Sequence, residues 1–385
     1  MFYLDRAATT PVRREVLEAM WPWLAGGFGN PSSTHGIGDQ AARGLADARA
    51  QVAAVLGCRP AEVVFTAGGT EGANTAVKGL ALAAPRGRHV VTSAIEHEAV
   101  LASCDYLARF HDFTVTVLPV DRDGLVAPAV LAAALRPDTT LVSIAHADNE
   151  IGTVQDVPAL AAVAHAVGAR FHTDAVQSAP WLPIGLDRLG VDALTFSGHK
   201  LGAPKGTGVL ALRAGVPMEP LVHGGGQERG RRSGTEDVAG AVAVATALTL
   251  SDATRDTAAG TATTTRDAVV AGVTARVPGA MLTGSPSERL PGHASFCFTA
   301  TAELPGVNGE TVLLELEQRD VVSSSGSACA AGSTEASHVL TALGLSDDIA
   351  RSAVRLTFDA GLTEADVPLV VDAVAAAVGS VRALG

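Results

Sequence analysis

A lysine in a glycine-rich turn is the strongest chemical signal in the sequence. The segment TFSGHKLGAPKG, residues 195–206, leads from an apolar run through Ser197 and His199 to Lys200. A lysine held at the end of a strand, among small residues, can form a Schiff base with an aldehyde cofactor. A solvated lysine in an ordinary turn is the alternative, and the spacing alone does not decide between the two.

Polar residues that follow other apolar runs offer partners for such a cofactor. In FHTDAVQ, Asp174 and Gln177 come directly after a predicted strand. A carboxylate there can pair with a protonated pyridine nitrogen, or it can cap the next helix. His97 in SAIEHEAV and Asn149 in HADNEIG also follow predicted strands. We expect all four to meet, because open α/β sheets form their ligand crevice at the carboxyl ends of the strands.

A glycine-rich turn earlier in the chain is a candidate phosphate site. The segment VVFTAGGTEGAN runs from a predicted strand into a helix through Gly68, Gly69 and Thr70. Glycines admit a close approach of the backbone, and a helix N-terminus offers free N–H groups to an anion. Taken alone, a Gly-Gly-Thr turn is weak evidence, so the phosphate role depends on the neighbouring motifs.

Cys329 stands in VSSSGSACAAGS, a run of Ser, Gly and Ala without apolar partners. A buried structural cysteine would have apolar neighbours, so we expect Cys329 to be exposed on a loop of about residues 323–334 and to act as a nucleophile. The remaining cysteines stand in apolar or helical settings and are predicted to be packing residues: Cys58, Cys104 and Cys297.

A lone cation also interrupts a strand pattern near the C-terminal end of the sequence. Arg355 stands in SAVRLTFD. Its guanidinium can bind a ligand carboxylate in a fork geometry, or it can pair with a neighbouring acid. The sequence leaves both possibilities open.

Composition limits the kinds of partner. The 385 residues are 47% hydrophobic and 18% charged, which excludes a disordered chain and suits roughly two domains. The formal net charge of -12 removes the electrostatic attraction that nucleic-acid binding requires. We therefore expect small molecules or proteins as partners, and no nucleic acid.

The sequence predicts no metal site, membrane span or signal peptide. Its four cysteines form no C-x-x-C and show no Cys/His ligand spacing. The longest apolar stretch, residues 238–250, contains threonines and is shorter than the roughly 18 residues of a bilayer span. Asp5 and Arg6 are followed by no apolar region, which predicts a cytoplasmic protein.

Strands and helices alternate from about residue 39 to 213, which is typical of a mostly parallel sheet covered by helices. We interpret the polar stretch at 251–266 as a helix rather than a flexible connector, because no proline interrupts it. A smaller α+β unit is predicted beyond residue 278. The predicted strands are 63–66, 89–94, 114–119, 141–145, 170–173, 193–196, 208–212, 294–298, 321–324 and 352–358, and the predicted helices include 40–56, 158–167, 309–319, 335–343 and 364–383.

These motifs together resemble one family. The sequence contains, in order, LDRAATTP, GNPSSTHGIG, TAGGTEGAN, DNEIG, TDAVQ, SGHK, GGGQERGRRSGT and SSGSAC. Their order and intervals resemble those of the pyridoxal-phosphate-dependent cysteine desulfurases, in the class V aminotransferase group of the fold-type I enzymes. The resemblance covers essentially the whole chain. It implies a homodimer with a large doubly wound α/β domain, residues 15–255, and a small domain formed by 1–14 and 256–385.

The resemblance also implies roles around the cofactor. Lys200 would hold pyridoxal 5'-phosphate, Asp174 would pair with its pyridinium nitrogen, and His97 would stack on the ring. Thr235 would reach across to the phosphate of the partner subunit. The positions that match phosphate contacts in the same chain are Gly69, Thr70, Ser197 and His199, and those that match contacts near the phenolic oxygen are Asn149 and Gln177.

The implied reaction converts L-cysteine to L-alanine. The freed amine of Lys200 would take the Cα proton, His97 would move protons at the substrate thiol, and Arg355 with Asn149 would bind the substrate. Cys329 would then attack the substrate sulfur, become a persulfide, and pass the sulfur to an acceptor protein. The SSGSAC sequence resembles the long-loop subgroup that serves scaffold proteins such as those of iron–sulfur cluster assembly.

Some positions depart from the family pattern. Asp148 stands where a second asparagine is usual before Asn149. Ala203 replaces a glycine of the turn after Lys200, and Arg6 occupies a variable position of the LDRAATTP motif. The alternatives are another enzyme of the group, namely an aminotransferase or a cysteine or selenocysteine lyase, and a silent docking subunit. The presence of Lys200 and Cys329 argues against the silent subunit. The sequence leaves open which pathway receives the sulfur: iron–sulfur clusters, thiolated tRNA, DNA phosphorothioation or a thio-natural product.

Overall fold

The computed structural model describes residues 1–326 and 336–384. In chain order the strands are β1 (Phe2–Tyr3), β2 (Val63–Thr66), β3 (His89–Ser93), β4 (Thr114–Leu118), β5 (Thr139–Ser143), β6 (Arg170–Asp174), β7 (Ala193–Ser197), β8 (Gly208–Leu212), β9 (Ala280–Leu282), β10 (His293–Phe298), β11 (Val321–Val322) and β12 (Val354–Thr357). The α-helices are α1 (Arg14–Ala25), α2 (Gly36–Leu56), α3 (Gly69–Ala83), α4 (Glu98–His111), α5 (Pro128–Ala134), α6 (Val157–Ala166), α7 (Leu186–Leu189), α8 (Val238–Arg276), α9 (Gly309–Glu317), α10 (His338–Ala342), α11 (Asp347–Ala350) and α12 (Val367–Leu384).

A seven-stranded sheet forms the centre of the larger part of the molecule. Its strand order is β2-β8-β7-β6-β5-β3-β4. Neighbouring strands are parallel except at β8, which runs antiparallel to both β2 and β7. The prediction of a mostly parallel α/β sheet is therefore confirmed.

Helices cover both faces of this sheet, because its strands are apolar on both sides. Val90 and Leu141 pack in one core with residues of α3 and α4. Their sequence neighbours Val91 and Val142 face the opposite side and pack with residues of α2 and α6. Successive residues of a strand point to opposite faces, so continuous apolar runs are what a sheet buried on both sides requires. The arrangement is the doubly wound one predicted.

The fifth strand lies two residues earlier than predicted. We expected residues 141–145, and β5 is Thr139–Ser143. The backbone leaves the sheet after Ser143: the N–H of Ala145 donates a hydrogen bond to the carboxylate of Glu96 at 2.9 Å. A buried side chain thus ends a strand that the apolar pattern alone would extend.

The long helix α8 links the two cores of the molecule. It spans 39 residues and includes 251–266, which confirms the helical interpretation of that polar stretch. Its first half packs in the core of the large sheet, whereas Val269 and Val273 pack in a second core with β10 and β12. The expected boundary between residues 255 and 256 lies inside this helix, and the division into two domains stays a prediction.

The second core belongs to a smaller α+β unit. Strands β12, β10 and β9 form an antiparallel sheet in that order, and β1 pairs in parallel with β11, so the first residues of the chain join this unit. Helix α10 begins at residue 338, three residues later than predicted, since Ser337 caps it. By length and composition alone, the last helix is long and apolar enough to cross a bilayer. However, half of that apolar stretch is buried inside the molecule. It packs against α8 and α9.

Candidate active site

A cavity of about 640 Å³ lies at the carboxyl ends of the central parallel strands. Open α/β sheets bind ligands at this edge because the connecting loops diverge there. The cavity brings together these predicted site residues: Gly69, Thr70, His97, Asn149, Asp174, Gln177, Ser197, His199, Lys200 and Arg355.

Lys200 is held by the first residues of the chain. It ends a short 3-10 turn, Gly198–Lys200, directly after β7. Its Nζ donates hydrogen bonds to the carbonyl oxygen of Ala8, at 2.6 Å, and to that of Ala7. The Nε2 of Gln177 donates to the same Ala7 oxygen at 3.0 Å. The N-terminal segment therefore fixes the amine of the lysine at the wall of the cavity.

Asp174 is a buried acid beside two basic side chains. It is the last residue of β6 and is 8% exposed. Burial raises the pKa of its carboxyl group, while electrostatic interactions with His97 and Lys200 oppose that rise. Its Oδ1 accepts a hydrogen bond from the N–H of Val176 at 2.8 Å. A carboxylate in such a dry place is stabilised by a cationic partner, which a protonated pyridine nitrogen would supply.

His97 lines the cavity at the start of α4. Its Nδ1 accepts a hydrogen bond from the N–H of Ala99 at 3.0 Å and so caps the helix. With Nδ1 as the acceptor, Nε2 carries the proton of the neutral ring. The cap fixes the ring orientation, as a residue that stacks on a flat ligand needs.

The predicted phosphate contacts surround the N-terminus of α3. Gly69 is the first residue of this 15-residue helix, and Thr70 follows it. A Cβ atom added to Gly69 would lie 2.6 Å from Cγ2 of Val176, so a larger residue would displace the wall of the cavity. A helix N-terminus presents N–H groups and a positive partial charge, which suit a phosphate.

His199 borders the same end of the cavity. Its Nδ1 lies 3.1 Å from Oγ1 of Thr9. Burial and the charges of Lys200 and Lys205 lower the pKa of its imidazole to about 4. The ring is therefore neutral near pH 7 and serves there as a hydrogen-bonding group rather than as a cation.

Arg355 is almost fully buried on β12, with 1% of its surface exposed. It donates hydrogen bonds to the carbonyl oxygens of Asn149, at 2.7 Å, and Gly326, at 3.0 Å, and pairs with Oδ1 of Asp5 at 2.7 Å. Of the two possibilities that the sequence offered, the structure shows the neighbouring acid. The same guanidinium also lines the cavity, and its role toward a ligand carboxylate stays a prediction.

Two predicted residues are not part of this cavity's described wall. Thr235 is exposed in the loop before α8 and does not line the cavity. Its predicted place is in the site of a partner subunit, so that role stays a prediction. Cys329 lies outside the described residues.

The other cysteines have the properties of packing residues. Cys104 and Cys297 are buried, and Cys58 is partly buried. Burial raises the pKa of each thiol, to about 12 for Cys104 and Cys297 and to about 11 for Cys58. Since the thiolate is the nucleophile, all three are poorly reactive near pH 7.

Further acids around the cavity received no role from the sequence. Asp148 and Glu150 line it, and Glu96 lies buried behind it. Burial raises the pKa of Asp148 to about 7 and that of Glu96 to about 8. From the sequence, only His97 in SAIEHEAV and Asn149 in HADNEIG received a role, and Asp148 was marked only as a departure from the family pattern. The acids next to His97 and Asn149 were a usable signal, because they follow predicted strands at the edge where open α/β sheets bind ligands.

Comparisons with known proteins agree with this geometry. The Aminotransferase class-V family model matches residues 2–370. The chain is 43% identical over 371 residues to the cysteine desulfurase IscS of Dictyoglomus turgidum, an alignment that covers 96% of this chain and 92% of the relative. It is 42% identical to a cysteine desulfurase of Cereibacter sphaeroides, with 99% of this chain and 97% of the relative covered.

Solved structures give the same result. A NifS-like protein superposes with a TM-score of 0.90 at 35% identity, covering 98% of this chain and 99% of the other. A structure described as SspA in complex with cysteine gives a TM-score of 0.80 at 36% identity, covering 93% and 99%. The protein therefore belongs to the class V aminotransferase family, with the fold-type I architecture. Within that family its relatives are cysteine desulfurases, as the order of the motifs indicated.

Proposed function

We propose that this protein is a pyridoxal-phosphate-dependent cysteine desulfurase that converts L-cysteine to L-alanine and receives the sulfur on Cys329. One observation carries the proposal: Lys200, Asp174 and His97 face a single cavity at the edge of the sheet. The family and the cysteine desulfurase relatives, about 40% identical over nearly the whole chain, support the same reaction.

The residues present fit pyridoxal phosphate. The cavity contains an amine on Lys200, a buried carboxylate on Asp174, and the N-terminus of α3 at Gly69. When bound, this cofactor supplies an aldehyde that links to amines and a pyridinium ring that withdraws electrons from the substrate Cα. Asp174 would keep the ring nitrogen protonated, and the helix end would hold the phosphate.

The same side chains can carry the proton transfers. The amine of Lys200 would take the proton from the substrate Cα, because it is the base held nearest to the predicted linkage. His97 would accept or donate a proton at the substrate thiol. Arg355 is already held in place by Asp5 and by the carbonyl oxygen of Asn149. It would therefore orient the substrate carboxylate without losing conformational freedom of its own on binding.

The sulfur transfer needs no outside oxidant or reductant. The thiolate of Cys329 would attack the substrate sulfur and form a sulfur–sulfur bond while the carbon–sulfur bond breaks. The electron pair of the broken bond stays with the carbon, which takes up a proton and leaves as alanine. The transferred sulfur is thereby oxidised and the carbon reduced, so that L-cysteine and the enzyme thiol give L-alanine and an enzyme persulfide.

The sulfur would then pass to an acceptor protein, whose identity stays open. We also propose a homodimer in which Thr235 contacts the phosphate of the partner subunit. The basic, glycine-rich sequence of the Thr235 loop and its exposure support this arrangement. The cytoplasmic location remains a proposal from the sequence.

The lysine tests the cofactor assignment directly. The purified protein should be yellow and show a Schiff-base absorption band, which Lys200→Ala should abolish, because the amine makes the covalent link. Absorption spectra before and after addition of pyridoxal phosphate measure this. A wild-type protein that stays colourless after the addition contradicts the cofactor assignment.

The products separate the proposal from another reaction of the group. The wild type should release alanine from L-cysteine, and Cys329→Ala should lose that release in the absence of reductant. An aminotransferase or a lyase does not need the thiol. Alanine release that persists in Cys329→Ala would favour a lyase that releases the sulfur without the enzyme thiol, whereas an aminotransferase would convert L-cysteine to its 2-oxo acid and retain the carbon–sulfur bond.

A further inference from the structure

The segment that carries Cys329 is bounded by described residues that meet at one side chain. Gly326 precedes the segment, and Ser337 follows it closely. The Oγ of Ser337 donates a hydrogen bond to Oε2 of Glu150 at 2.5 Å. A Cβ atom built on Gly326 would lie 3.5 Å from both Cβ and Oε2 of Glu150, so Gly326 lies next to the same side chain. One buried acid thus lies beside the described residues on both sides of the segment.

Glu150 is itself fixed to the cavity wall. It is 5% exposed, and it follows Asn149, which lines the cavity. Its N–H donates to Oδ1 of Asp148 at 2.8 Å, and its carbonyl oxygen accepts from Nε2 of His293 at 3.0 Å. A residue that is hydrogen-bonded to Glu150 is therefore held at a fixed position relative to the cavity.

Each end of the segment has a second link to the fold. Ser337 also accepts a hydrogen bond from the N–H of Leu340 at 3.2 Å and so caps α10. On the other side, one Arg355 nitrogen, Nη1, donates to the carbonyl oxygens of both Asn149 and Gly326. The contacts of Glu150 thus belong to a connected set that joins the cavity wall to both ends of the segment.

The carboxyl group of Glu150 depends on these partners. Burial raises its pKa, while the hydroxyl of Ser337 and the charges of His338 and Arg355 lower it again. A buried acid left without its hydrogen-bond donor is costly. Replacing Ser337 should therefore disturb the same contact as replacing Glu150.

We propose that Glu150 is a positioning residue for sulfur transfer, which fixes both ends of the Cys329 segment relative to the cavity. The inference rests on the proposed function, because it concerns the attack of Cys329 on the substrate sulfur. The reacting atoms in such a step must come within about 3.5 Å of each other in a defined orientation. Holding Gly326 and Ser337 at set places limits how far either side of the segment can move away from the cavity.

The test separates cysteine binding from sulfur transfer in the holoenzyme. The variants are Glu150→Ala, Glu150→Gln and Ser337→Ala. The change in the cofactor absorption on rapid mixing with L-cysteine reports binding, and quenched samples analysed by mass spectrometry report the rate of persulfide formation on Cys329. Glu150→Ala and Ser337→Ala should slow persulfide formation about tenfold or more, while the half-saturating cysteine concentration stays within about threefold of the wild type.

Two comparisons sharpen the result. The slowing in the double variant Glu150→Ala with Ser337→Ala should be smaller than the product of the two single slowings, because both substitutions remove the hydrogen bond between Ser337 and Glu150. Glu150→Gln should slow persulfide formation less than Glu150→Ala does, since its amide oxygen can still accept the hydrogen bond of Ser337.

The control variant is Ser346→Ala. Ser346 is exposed and precedes α11, but its side chain makes no capping hydrogen bond, so we expect wild-type rates of persulfide formation.

Persulfide formation within about twofold of the wild type in both Glu150→Ala and Ser337→Ala overturns the inference. An equal loss of cysteine binding and of persulfide formation also overturns it, because Glu150 would then support the cavity itself. If Glu150→Ala does not fold, Ser337→Ala decides alone. A wild type that forms no persulfide at Cys329 contradicts the proposed function instead.

Discussion

Two buried aspartates at the cavity show how one residue type can serve different tasks. Asp174 lies beside His97 and Lys200, whose electrostatic interactions with its carboxyl group oppose the effect of burial on its pKa. Asp148 is 3% exposed and has a negative neighbour in Glu150, and its pKa is raised to about 7. The first environment favours an ionised partner for a cationic ring, and the second favours a neutral acid.

The hydrogen bonds of Asp148 explain why a carboxyl group is tolerated where the family pattern has asparagine. Its Oδ1 accepts from the N–H groups of Glu150, at 2.8 Å, and Ile151, at 2.7 Å, as an amide oxygen would. Its Oδ2 is buried and has no hydrogen-bond partner among the described residues. A proton on that oxygen avoids an unpaired buried charge.

Asp148 should therefore make stability depend on pH. In the unfolded chain its carboxyl group ionises near its ordinary pKa of 3.8, whereas the folded protein keeps the proton up to about pH 7. The free energy of unfolding should fall as pH rises between these values, by at most about 1.4 kcal/mol per pH unit from this group. Asparagine does not ionise and keeps both accepted hydrogen bonds.

Urea unfolding of the wild type and Asp148→Asn at several pH values tests this. The advantage of the variant should grow from about pH 4 to about pH 7 and stay constant above that. Taking the difference between the two proteins removes the contributions of groups that do not interact with Asp148. A difference that does not change with pH would show that Asp148 is ionised in the folded protein throughout.

At the scale of elements, strand ends position most of the site. Asp174 ends β6, Ser197 ends β7, and Lys200 closes the turn after β7. These residues were predictable because each follows a predicted strand in the sequence, and parallel strands end at one edge of their sheet. The short strands β1 and β9 were not predicted, since two or three residues carry too little periodicity to be recognised.

The start of α3 provides a test at this scale. Gly69→Ala would place a methyl group 2.6 Å from Cγ2 of Val176, at the predicted phosphate site. The variant should bind pyridoxal phosphate more weakly, because either the helix end or the wall of the cavity must shift. Equilibrium titration of the apoprotein, followed by absorption, measures the affinity.

Gly260→Ala is the matched control for that substitution. Gly260 lies in α8, and a Cβ atom there would have no atom within 4 Å. Alanine should leave cofactor affinity unchanged and stabilise the helix by up to about 1 kcal/mol. Equal affinity in Gly69→Ala and the wild type would argue against a phosphate at this helix end.

At the scale of the whole molecule, the site depends on contacts between distant parts of the chain. Lys200 is bound by the carbonyl groups of Ala7 and Ala8, and Arg355 pairs with Asp5, 350 residues away. No local pattern reveals such pairs, so sequence reasoning found Lys200 and Arg355 but not what fixes them. The family resemblance supplied the roles of the site residues, whereas the contacts of Glu150 became visible only in the fold.

A mixed dimer would test the predicted sharing of the site between subunits. In a heterodimer of a Lys200→Ala subunit and a Thr235→Ala subunit, one of the two sites would have both groups intact. Activity should rise on subunit exchange above that of either variant alone, and differently tagged subunits allow the heterodimer to be purified. A purified heterodimer with no recovered activity or cofactor affinity would mean that each chain forms its site alone.

The most direct test of the proposed reaction is the mass of the protein after exposure to L-cysteine. The account predicts one added sulfur atom per subunit, removable by a thiol reductant and located on Cys329 by peptide mapping. Cys329→Ser should still bind the cofactor and L-cysteine, with the same absorption change, but should gain no sulfur and sustain no alanine release. An added sulfur on Cys58, Cys104 or Cys297, or a fully active serine variant, would contradict the persulfide mechanism.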